Sequence, residues 1–477
     1  MNVAIYTLIR DLNTNIGTIQ AIIAIYSLLM ASLMLLGGKL QNVLGRRRTF
    51  LTGASIYGVG TVIAALSINS AMLLFGWSIL EGIGAALMMP ATTSIISGSY
   101  TGEQRAFALG IVSSMASGAG AIGPIIGGFL TTYYTWRYAF GLELIIIIVI
   151  LLFSRTISVF PPNLKWKDVD ILGAFFSSSG IFILVLGILL LNNPQNWLIA
   201  FILMIMGIIL LIIFYWSQKN RINKNKSPLL DISLFKDRSF TLGNVTRLIM
   251  NFTIGGVVFV IPVYLQGVLG ANPLITGLAL IPMSIGIFVM SFTAGKVAKR
   301  FQARYILATG FLAALVGSIY LSTIFNPQTT ISDILPGVLF LGIGMGIVFP
   351  HTANVIFSVA RSDQQPDASG VLNTGVNLGS ALGTAVLGVI LILGSFGSIS
   401  GTGYNLPAKY SQILINNSDL NIELTEIPIT NQNNEKTNAM KDAFNVVTIL
   451  LIVGLICSLT MPKKVHKPHE HGITTHI

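Results

Sequence analysis

Two ionisable side chains interrupt long apolar stretches of this sequence, and they are the strongest candidates for binding a proton or pairing with a charge. Glu81 lies in the middle of the apolar run 70–94, and Arg247 lies about two helical turns into the run 240–265. An apolar environment disfavours a charged carboxylate, so such a group holds a proton or is paired with a cation. Glu81 is therefore the leading candidate for a group that binds and releases a proton. The alternative is a neutral carboxyl group that is hydrogen-bonded for packing.

The other titratable positions allow more than one interpretation. Arg247 either pairs with an acidic group across a cavity, as a second proton-coupling candidate, or extends its head group to the surface. Glu143 stands near Arg137 at one end of its run, and we expect it to reach the surface. His351 ends another run, where a local hydrogen bond is favoured over a proton relay. The histidines of the tail 462–477 are expected to be solvated rather than to bind a metal.

The composition indicates that these ionisable side chains lie in membrane-spanning segments. Of 477 residues, 53% are hydrophobic and only 9% are charged, and the mean hydropathy is +0.78. A typical soluble domain has roughly 25% charged residues, so we predict an all-α polytopic membrane protein. Thirteen apolar runs are long enough to span a bilayer. They lie near 18–38, 50–68, 70–94, 106–131, 138–154, 171–191, 197–216, 240–265, 275–295, 304–325, 334–358, 368–394 and 442–461.

Lysine and arginine predict the orientation of these runs. Every second linker is basic, namely 39–48, 155–170, 217–239 and 296–304, and the tail is basic too. Basic linkers face the cytosol, so the C-terminus is expected there, in a multi-pass protein of the plasma membrane. The net charge of +11 is therefore a topology signal, and nucleic acid is not an expected partner.

An internal repeat organises the runs. The segment 37–48 resembles 294–305, and the segment 82–96 resembles 342–356, at residue-number differences of 257 and 260. Chance similarity between glycine-rich helices is the alternative, but the order and the nearly constant difference favour a repeat. Parallel repeats of this kind are a transporter architecture with the substrate site between the halves. The matched pairs include Gly82 with Gly342, Gly84 with Gly344, Pro90 with Pro350, Gly110 with Gly370 and Gly123 with Gly383.

The repeat predicts two six-helix halves, two inserted helices and a truncated first helix. The run 240–265 should have a partner before residue 18, and only Met1–Ile9 is available for it. We expect either a start further upstream or a chain that lacks most of one span. The predicted units are 1–155 for the N-terminal bundle, 156–216 for the linker and inserted helices, 217–239 for a cytosolic loop, 240–461 for the C-terminal bundle with an external loop at 395–441, and 462–477 for the tail.

Two motifs carry a family resemblance. The stretch GKLQNVLGRRR at 38–48 resembles motif A of the major facilitator superfamily. The glycine-rich stretch 110–130 resembles motif C, the antiporter motif of the fourteen-helix drug:proton antiporter branch. The likeness implies a gating loop at Gly38, Gly45, Arg46 and Arg47. It assigns the antiporter motif to Gly110, Gly123, Pro124, Gly127 and Gly128.

The resemblance implies the major facilitator fold and proton-coupled export of small amphipathic compounds or drugs by alternating access. The family's acidic position in motif A is Asn42 here, and its fourth-helix arginine is Ser78. A uniporter or importer of the same fold is the first alternative, and a non-transporting membrane sensor is the second. Substrate contacts are expected from polar and aromatic residues that face a central cavity: Gln20, Tyr26, Trp77, Asn244, Gln266, Asn373 and Asn377.

Other functional classes find no support in the sequence. There is no nucleotide-binding loop of the G-x-x-x-x-G-K-[ST] type, and the apolar runs hold no Ser/His/Asp or metal cluster. We therefore predict neither an ATP-driven pump nor an enzyme, and no cofactor or metal. The expected partners are a small-molecule substrate, protons and the lipid bilayer, and the expected assembly is a monomer.

Overall fold

The chain is helical throughout the part that the structure describes. The structure is a computed structural model that describes residues 8, 10–14, 16–162, 164–191, 194–224, 226–267, 269, 271, 273–326, 328–401 and 429–462. No β-strand occurs among these residues. Eleven of the described helices are long and apolar enough to cross a membrane.

The helices fall into two halves separated by an inserted pair. The first half contains α1 (Ile16–Leu44), α2 (Arg46–Ala65), α3 (Ser70–Ser99), α4 (Gly102–Tyr133) and α5 (Arg137–Leu152). The inserted pair is α6 (Ile171–Leu190) and α7 (Trp197–Asn223). The second half contains α8 (Arg238–Gly267), α9 (Pro273–Ala279), α10 (Ile281–Phe292), α11 (Ala294–Arg300), α12 (Ala303–Ile324), α13 (Ile331–Val359), α14 (Gln365–Gly401) and α15 (Ile429–Leu459).

Each of the thirteen apolar runs is confirmed as helix, with differences at two places. The run 275–295 is divided, because Pro282 has no N–H to continue the hydrogen bonds of α9 and the helix restarts as α10. The predicted external loop 395–441 is shorter than expected, since α14 continues to Gly401 and α15 begins at Ile429. Residues 402–428 of this loop, and 463–477 of the predicted tail, lie outside the described residues.

Glycine pairs show the repeat in three dimensions. In the first half, a Cβ on Gly53 would lie 2.8 Å from the carbonyl oxygen of Gly84, so that α2 and α3 cross at backbone contact. In the second half, a Cβ on Gly310 would lie 3.1 Å from the carbonyl oxygen of Gly344, where α12 crosses α13. These four positions differ by 257 and 260 residues, the same differences as in the sequence repeat. Small residues let membrane helices approach this closely.

The basic linkers gather at one end of the bundle. The backbone N–H of Leu164 donates to the carbonyl oxygen of Asn42 over 2.9 Å, and Arg221 lies 3.4 Å from Asp170. The linkers 39–48, 155–170 and 217–239 thus share one end, which we call the basic end. The halves also meet there, because α1 packs on α14, and α4 packs on α10 and α13.

Candidate functional site

A wide helical turn places Glu81 inside the first half. Helix α3 is π-helical from Leu74 to Glu81 and returns to α-helix at Gly82. π-Helical turns are rare within α-helices and frequently occur at functional sites. Glycines accommodate this one, because a Cβ on Gly76 would lie 2.6 Å from the backbone nitrogen of Ala64 in α2. The sequence carried no signal for the π turn, which depends on close packing against α2.

The carboxyl group of Glu81 is buried and has no hydrogen-bond partner among the described residues. The residue is 0% exposed, and neither carboxylate oxygen makes a hydrogen bond. Tyr57 and Thr61 of α2 lie beside it, but neither completes a hydrogen bond to it in this conformation. Thr61 donates its hydroxyl proton to the Tyr57 carbonyl oxygen over 2.9 Å, so its hydroxyl oxygen keeps a lone pair that can accept one. This environment suits a protonated Glu81.

Glu143 of α5 brings a second carboxyl group to the same region. It was expected to reach the surface near Arg137; the residue is half-buried, but its Oε2 is buried and has no hydrogen-bond partner among the described residues. Arg137 points elsewhere: it donates to the Ser67 carbonyl oxygen over 2.8 Å and stacks on Trp136. The charge of Glu143 lies close enough to act on Glu81. In the described part of the chain, neither carboxyl group forms an ion pair.

Aromatic rings line this region of the first half. The rings of Tyr26 and Trp77 have centroids 6.4 Å apart, and Trp77 meets Phe140 edge to face at 5.8 Å. Trp77 is 8% exposed, so these two predicted cavity residues belong to the packing of the first half in this conformation. Ser78, at the family's arginine position, donates to the Ile22 carbonyl oxygen over 2.6 Å and adds no charge.

Arg247 stays within the second half. Its Nη1 donates to the Phe349 carbonyl oxygen over 2.8 Å, and its guanidinium lies 4.3 Å from the centroid of the Phe349 ring. Its Nε is buried without a hydrogen-bond partner. Among the described residues it therefore contacts α13 rather than an acidic group across a cavity. His351 bonds locally, with Nδ1 2.7 Å from the Ile347 carbonyl oxygen, as favoured from the sequence.

An acidic residue of the second half takes the place of the missing motif A carboxylate. Asn42 donates to Oδ1 of Asp367 over 3.3 Å, and Lys39 lies 3.7 Å from its Oδ2. The backbone N–H of Asp231 also donates to that Oδ2, over 3.0 Å. Asp367 opens α14, where a carboxylate is favoured by the helix dipole. These four residues, the Asp367 cluster, join the first half, the second half and the linker that follows the inserted helices.

The predicted gating loop lies at this junction. Gly45 has a φ of +86°, a left-handed conformation that a side chain would strain, and it starts α2. Arg46 donates to the Ser94 carbonyl oxygen of its own half over 2.6 Å, and to the Ser362 carbonyl oxygen of the other half over 2.7 Å. A Cβ on Gly38 would lie 2.8 Å from the Pro366 carbonyl oxygen. Arg47 is half-buried beside them.

Two latches at repeat-related positions hold the basic end closed. In the Arg105 latch, Arg105 of α4 donates to Oδ1 of Asn354 over 2.8 Å and to the Phe357 carbonyl oxygen over 3.0 Å. In the Gln365 latch, Oε1 of Gln365 accepts from Arg46 over 3.0 Å and from Ser97 over 3.4 Å. Residues 105 and 365, and residues 97 and 357, are repeat pairs. In each latch, a residue in the first turn of a helix bonds to the opposite half. The two helices, α4 and α14, are repeats of each other.

The antiporter-motif helix packs at one end and is open at the other. A Cβ on Gly110 would clash with the carbonyl oxygen of Ser291, and Ser114 donates to the Phe288 carbonyl oxygen over 3.0 Å. Among the described residues, no atom lies within 4 Å of a Cβ placed on Gly123 or Gly127. Of the described glycines in this stretch, the tightly packed one is therefore Gly110, while Gly123 and Gly127 are open in this conformation. The side chain of Pro124 and the surroundings of Gly128 are outside the described part of the structure.

Of the remaining predicted cavity residues, two lie at the interface between the halves and one bonds within its own helix. Asn373 donates to Oγ1 of Thr93 over 3.1 Å, and Asn377 donates to the sulfur of Met34 over 3.2 Å, so both link α14 to the first half. Asn244 donates to the Phe240 carbonyl oxygen of its own helix over 2.9 Å. The side chains of Gln20 and Gln266 lie outside the described residues.

Sequence reasoning missed Asp367, Gln365 and Asp231, and it misplaced Glu143. Residues 365 and 367 lie in a polar segment before an apolar run, where a solvated loop is the ordinary interpretation. Their partners are more than 100 residues away, so no local pattern reveals them. In the part of the chain that the structure describes, no group of three or more His, Cys, Asp or Glu residues could hold a metal ion.

Comparison with known proteins places these features in a family. The family model described as Major Facilitator Superfamily matches residues 1–170 and 158–384. The lincomycin resistance protein LmrB of Listeria monocytogenes is 29% identical over 469 residues, which cover 97% of this chain and 93% of that protein. The multidrug efflux pump LfrA of Mycolicibacterium smegmatis is 28% identical over 382 residues, which cover 80% and 75%.

A solved structure shows the same fold. The human organic anion transporter MFSD10 superposes with a TM-score of 0.58 at 15% identity, over 91% of this chain and 83% of that one. The likeness covers both halves of the chain.

Proposed function

The chain belongs to the Major Facilitator Superfamily, and from this premise we propose that it is a proton-coupled exporter of small amphipathic compounds or drugs. It is a multi-pass membrane protein, and the similar proteins LmrB and LfrA are a resistance protein and an efflux pump. The observation that carries the proposal is Glu81, a fully buried carboxyl group in a membrane helix that has no hydrogen-bond partner in the described part of the chain. Ionisable residues so placed are costly and mark proton relays in transporters.

The proposed role of Glu81 follows from its surroundings. When protonated, it donates to the free lone pair of the Thr61 hydroxyl oxygen. When it loses the proton, no described cation pairs with the carboxylate, and its charge is disfavoured by the apolar surroundings. Loss of the proton therefore favours a different conformation or a bound substrate that compensates the charge. Proton release and substrate movement are coupled through this difference in free energy between the two states.

The gate operates at the basic end, which we assign to the cytosol of a cell-membrane protein with a cytosolic C-terminus. The Arg105 latch, the Gln365 latch and the Asp367 cluster hold the halves together there. The structure then represents a conformation closed toward the cytosol. Opening toward the cytosol requires these bonds to break, while the outer ends of the two halves come together, as in alternating access. The transporting unit is proposed to be one chain.

A flux measurement tests the proposal. The purified protein is reconstituted in liposomes, and efflux of a fluorescent drug such as ethidium is followed under an imposed pH gradient. We expect the gradient to accelerate wild-type flux at least tenfold, and Glu81→Gln to retain binding but lose this acceleration. Equal responses of both proteins to the gradient would remove Glu81 from the coupling mechanism. The matched control is Glu103→Gln, at a helix end away from the Glu81 site.

One observation favours a second candidate, a uniporter of the same fold. Ser78 stands at the position of the family's proton-coupling arginine and bonds only to a backbone oxygen. A uniporter would equilibrate its substrate at the same rate with and without a pH gradient. The same liposome assay therefore separates the two functions.

A further inference from the structure

One buried side chain of α7 holds the linker that leaves the inserted helices. Gln218 is 0% exposed, and its Oε1 accepts from the backbone N–H of Leu229 over 2.7 Å and from that of Leu230 over 3.4 Å. Its Nε2 donates to Oδ2 of Asp170, directly before α6, over 2.8 Å. A buried amide that is bonded at both of its ends fixes the groups around it, because leaving any of them unbonded is costly. Gln218 therefore joins the two linkers that flank the inserted pair, and we call the segment 227–231 that it holds the strap.

The strap covers an apolar cluster in which the inserted pair and both halves meet. Its two leucines are 2% and 6% exposed. The other buried members of the cluster, Ala174 and Phe214, belong to the inserted pair, and Leu36 of α1 and Val371 of α14 pack beside them. Burial of apolar surface stabilises these contacts. The strap is thus attached to the inserted pair both by packing and by the hydrogen bonds of Gln218.

The end of the strap orients the acidic residue at the gate. The backbone N–H of Asp231 donates to Oδ2 of Asp367 over 3.0 Å, and Nε2 of Gln364 donates to Oδ2 of Asp231 over 2.6 Å. The other oxygen of Asp367, Oδ1, accepts from Asn42 of the first half over 3.3 Å. Because Asp231 follows Leu230 directly, the position of the strap decides whether its N–H reaches Asp367.

The linker on the other side of the inserted pair is attached to the first half. The backbone N–H of Leu164 donates to the Asn42 carbonyl oxygen over 2.9 Å, and the guanidinium of Arg46 lies 4.3 Å from the centroid of the Phe160 ring. This linker ends at the residue that bonds to Gln218. The inserted pair is therefore attached to both sides of the gate, and both attachments are made in this closed conformation.

Hydrogen bonds rather than packing decide the direction of the Asp367 carboxylate. A cavity of about 370 Å³ lies beside it, and its lining includes Lys39, Asn42, Pro228 and Asp231. Asp367 is buried, so its charge is favoured only where donors surround it. If the strap moves away, the carboxylate loses the N–H donor at Oδ2 and has space to turn from Asn42.

We propose that the inserted pair acts as a clip that favours closure of the basic end, with Gln218 as its positioning residue. By holding the strap, Gln218 presents the N–H of Asp231 to one oxygen of Asp367, which directs the other oxygen at Asn42 across the gate. Loss of Gln218 leaves the N–H groups of the strap unbonded in either conformation, whereas the bond from Asn42 exists only in the closed one. A loosened strap therefore shifts the equilibrium toward the open conformation. The inference rests on the proposed gate and deepens it, since it gives the inserted helices a role there.

Distances across the basic end test this inference. Arg48→Cys and Arg300→Cys, at exposed positions in the two halves, carry spin labels in a chain with Cys457→Ser. Double electron–electron resonance is recorded in nanodiscs without substrate. We expect Gln218→Leu to lower the ratio of closed to open conformers about tenfold, because hydrogen bonds to a charged carboxylate are lost from the closed conformation alone.

A matched control loosens the inserted pair at another place. A Cβ on Gly207 of α7 would lie 2.8 Å from Cβ of Leu184 in α6, so these helices cross closely there. This crossing is about 16 Å from Gln218 along α7. Leu184→Ala should lower the unfolding temperature and leave the ratio of conformers unchanged.

A second pair of variants removes the strap's donor without changing Gln218. The φ of Asp231 is −73°, a value that proline adopts, so Asp231→Pro removes the N–H. Asp231→Ala loses the same side chain but keeps the N–H. We expect Asp231→Pro to lower the ratio about tenfold and Asp231→Ala to lower it less. Gln218→Leu combined with Asp231→Pro should lower it no further than Asp231→Pro alone, since both act through one bond.

Several outcomes would overturn the clip. They are an unchanged ratio in folded Gln218→Leu, an equal shift in Leu184→Ala, and equal shifts in the two Asp231 variants. Additive shifts in the combined variant would contradict the positioning role of Gln218. If Gln218→Leu fails to fold, as judged by gel filtration, the comparison of Asp231→Pro with Asp231→Ala decides.

The liposome assay keeps this inference separate from the proposed function. Gradient-driven flux by the wild type, with an unchanged ratio of conformers in Gln218→Leu, would overturn the clip and leave the transport function in place. A ratio that depends on Gln218 in a protein without any flux would support the clip and contradict the transport function.

Discussion

Helices α3 and α13 are repeats of each other, yet only α3 contains an acidic residue in its buried interior. Both carry the same glycine pair, Gly82 and Gly84 in one and Gly342 and Gly344 in the other. At the position before the first glycine, α3 has Glu81 and α13 has Leu341, and each is 0% exposed. Helix α13 is α-helical at this point, whereas α3 has its π turn. The second half therefore has an apolar residue at this position, whereas the first half has a buried carboxyl group. Such a group lowers stability, so its presence needs a functional explanation.

The largest effect is expected from exchanging these two residues. Glu81→Leu gives α3 the side chain of α13, and it should raise the thermal unfolding temperature by about 2–4 °C while abolishing the response of flux to a pH gradient. Leu341→Glu buries a carboxyl group in α13, where it has no function, and it should lower the free energy of unfolding by about 3 kcal/mol or more. Thermal unfolding in detergent and flux in liposomes measure both. A Glu81→Leu protein that is less stable than the wild type would show that Glu81 serves packing instead.

A second comparison concerns the glycine faces of α4 and α14. A Cβ on Gly383 of α14 would clash with the carbonyl oxygen of Phe252 in α8, whereas a Cβ on Gly123 of α4, its repeat partner, meets no described atom. Gly383→Leu should therefore separate two helices and lower the unfolding temperature by more than about 5 °C, and Gly123→Leu by less than about 1 °C. Differential scanning fluorimetry of the purified variants checks this. Equal losses would mean that another part of the chain, or another conformation, packs against Gly123.

The two latches offer a graded comparison. The charged guanidinium of Arg105 donates to three acceptor atoms on Asn354 and Phe357, whereas Gln365 accepts through one neutral amide oxygen. Hydrogen bonds to charged groups contribute about 1.5–3 kcal/mol, so Arg105→Ala should shift the closed population at the basic end at least tenfold. Gln365→Ala should shift it about threefold, because Arg46 keeps its bonds to Ser94 and Ser362. Spin-label distances between α1 and α14 at that end report the shift. A larger effect from Gln365→Ala would reverse the order of the latches.

The smallest effect concerns Asp231, the linker residue of the Asp367 cluster. Burial disfavours its charge, but hydrogen bonds from Ser233 and Gln364 and the charge of Arg361 outweigh this and lower the pKa of Asp231. A lowered pKa contributes stability above the pKa of the unfolded state, and this is lost as the pH falls through the folded pKa. Asp231→Asn should therefore lower the unfolding temperature by about 1 °C at pH 7, and by progressively less as the pH falls through the pKa of Asp231 in the folded protein. A loss that does not diminish as the pH falls would exclude an ionic contribution.

The sequence predicts the frame of this protein better than its site. Apolar length predicted the helices, and glycine spacing predicted the repeat, because both properties are local. The repeat also gives the pairs at 105 and 365, but not their bonds, since Asn354 and Ser97 lie on other helices. Glu81 was found because a carboxylate in an apolar run is conspicuous.

Glu143 and Asp367 were not predicted correctly from the sequence, for different physical reasons. Glu143 stands near a helix end, where reaching the surface is the ordinary expectation, but its Oε2 is buried, and Arg137 bonds to Ser67 instead. Asp367 takes over the acidic role of position 42 from the other side of the interface. Such an exchange is visible only when both partners are in contact.

The central claim is that Glu81 holds a proton that leaves when substrate binds, and proton release upon binding tests it most directly. Ethidium is added to the purified full chain in weakly buffered solution near pH 7, and released protons are counted with a pH indicator. The account predicts about one proton per bound molecule for the wild type and none for Glu81→Gln, with Glu103→Gln like the wild type. Equal release by wild type and Glu81→Gln, or binding without release by the wild type, would contradict it.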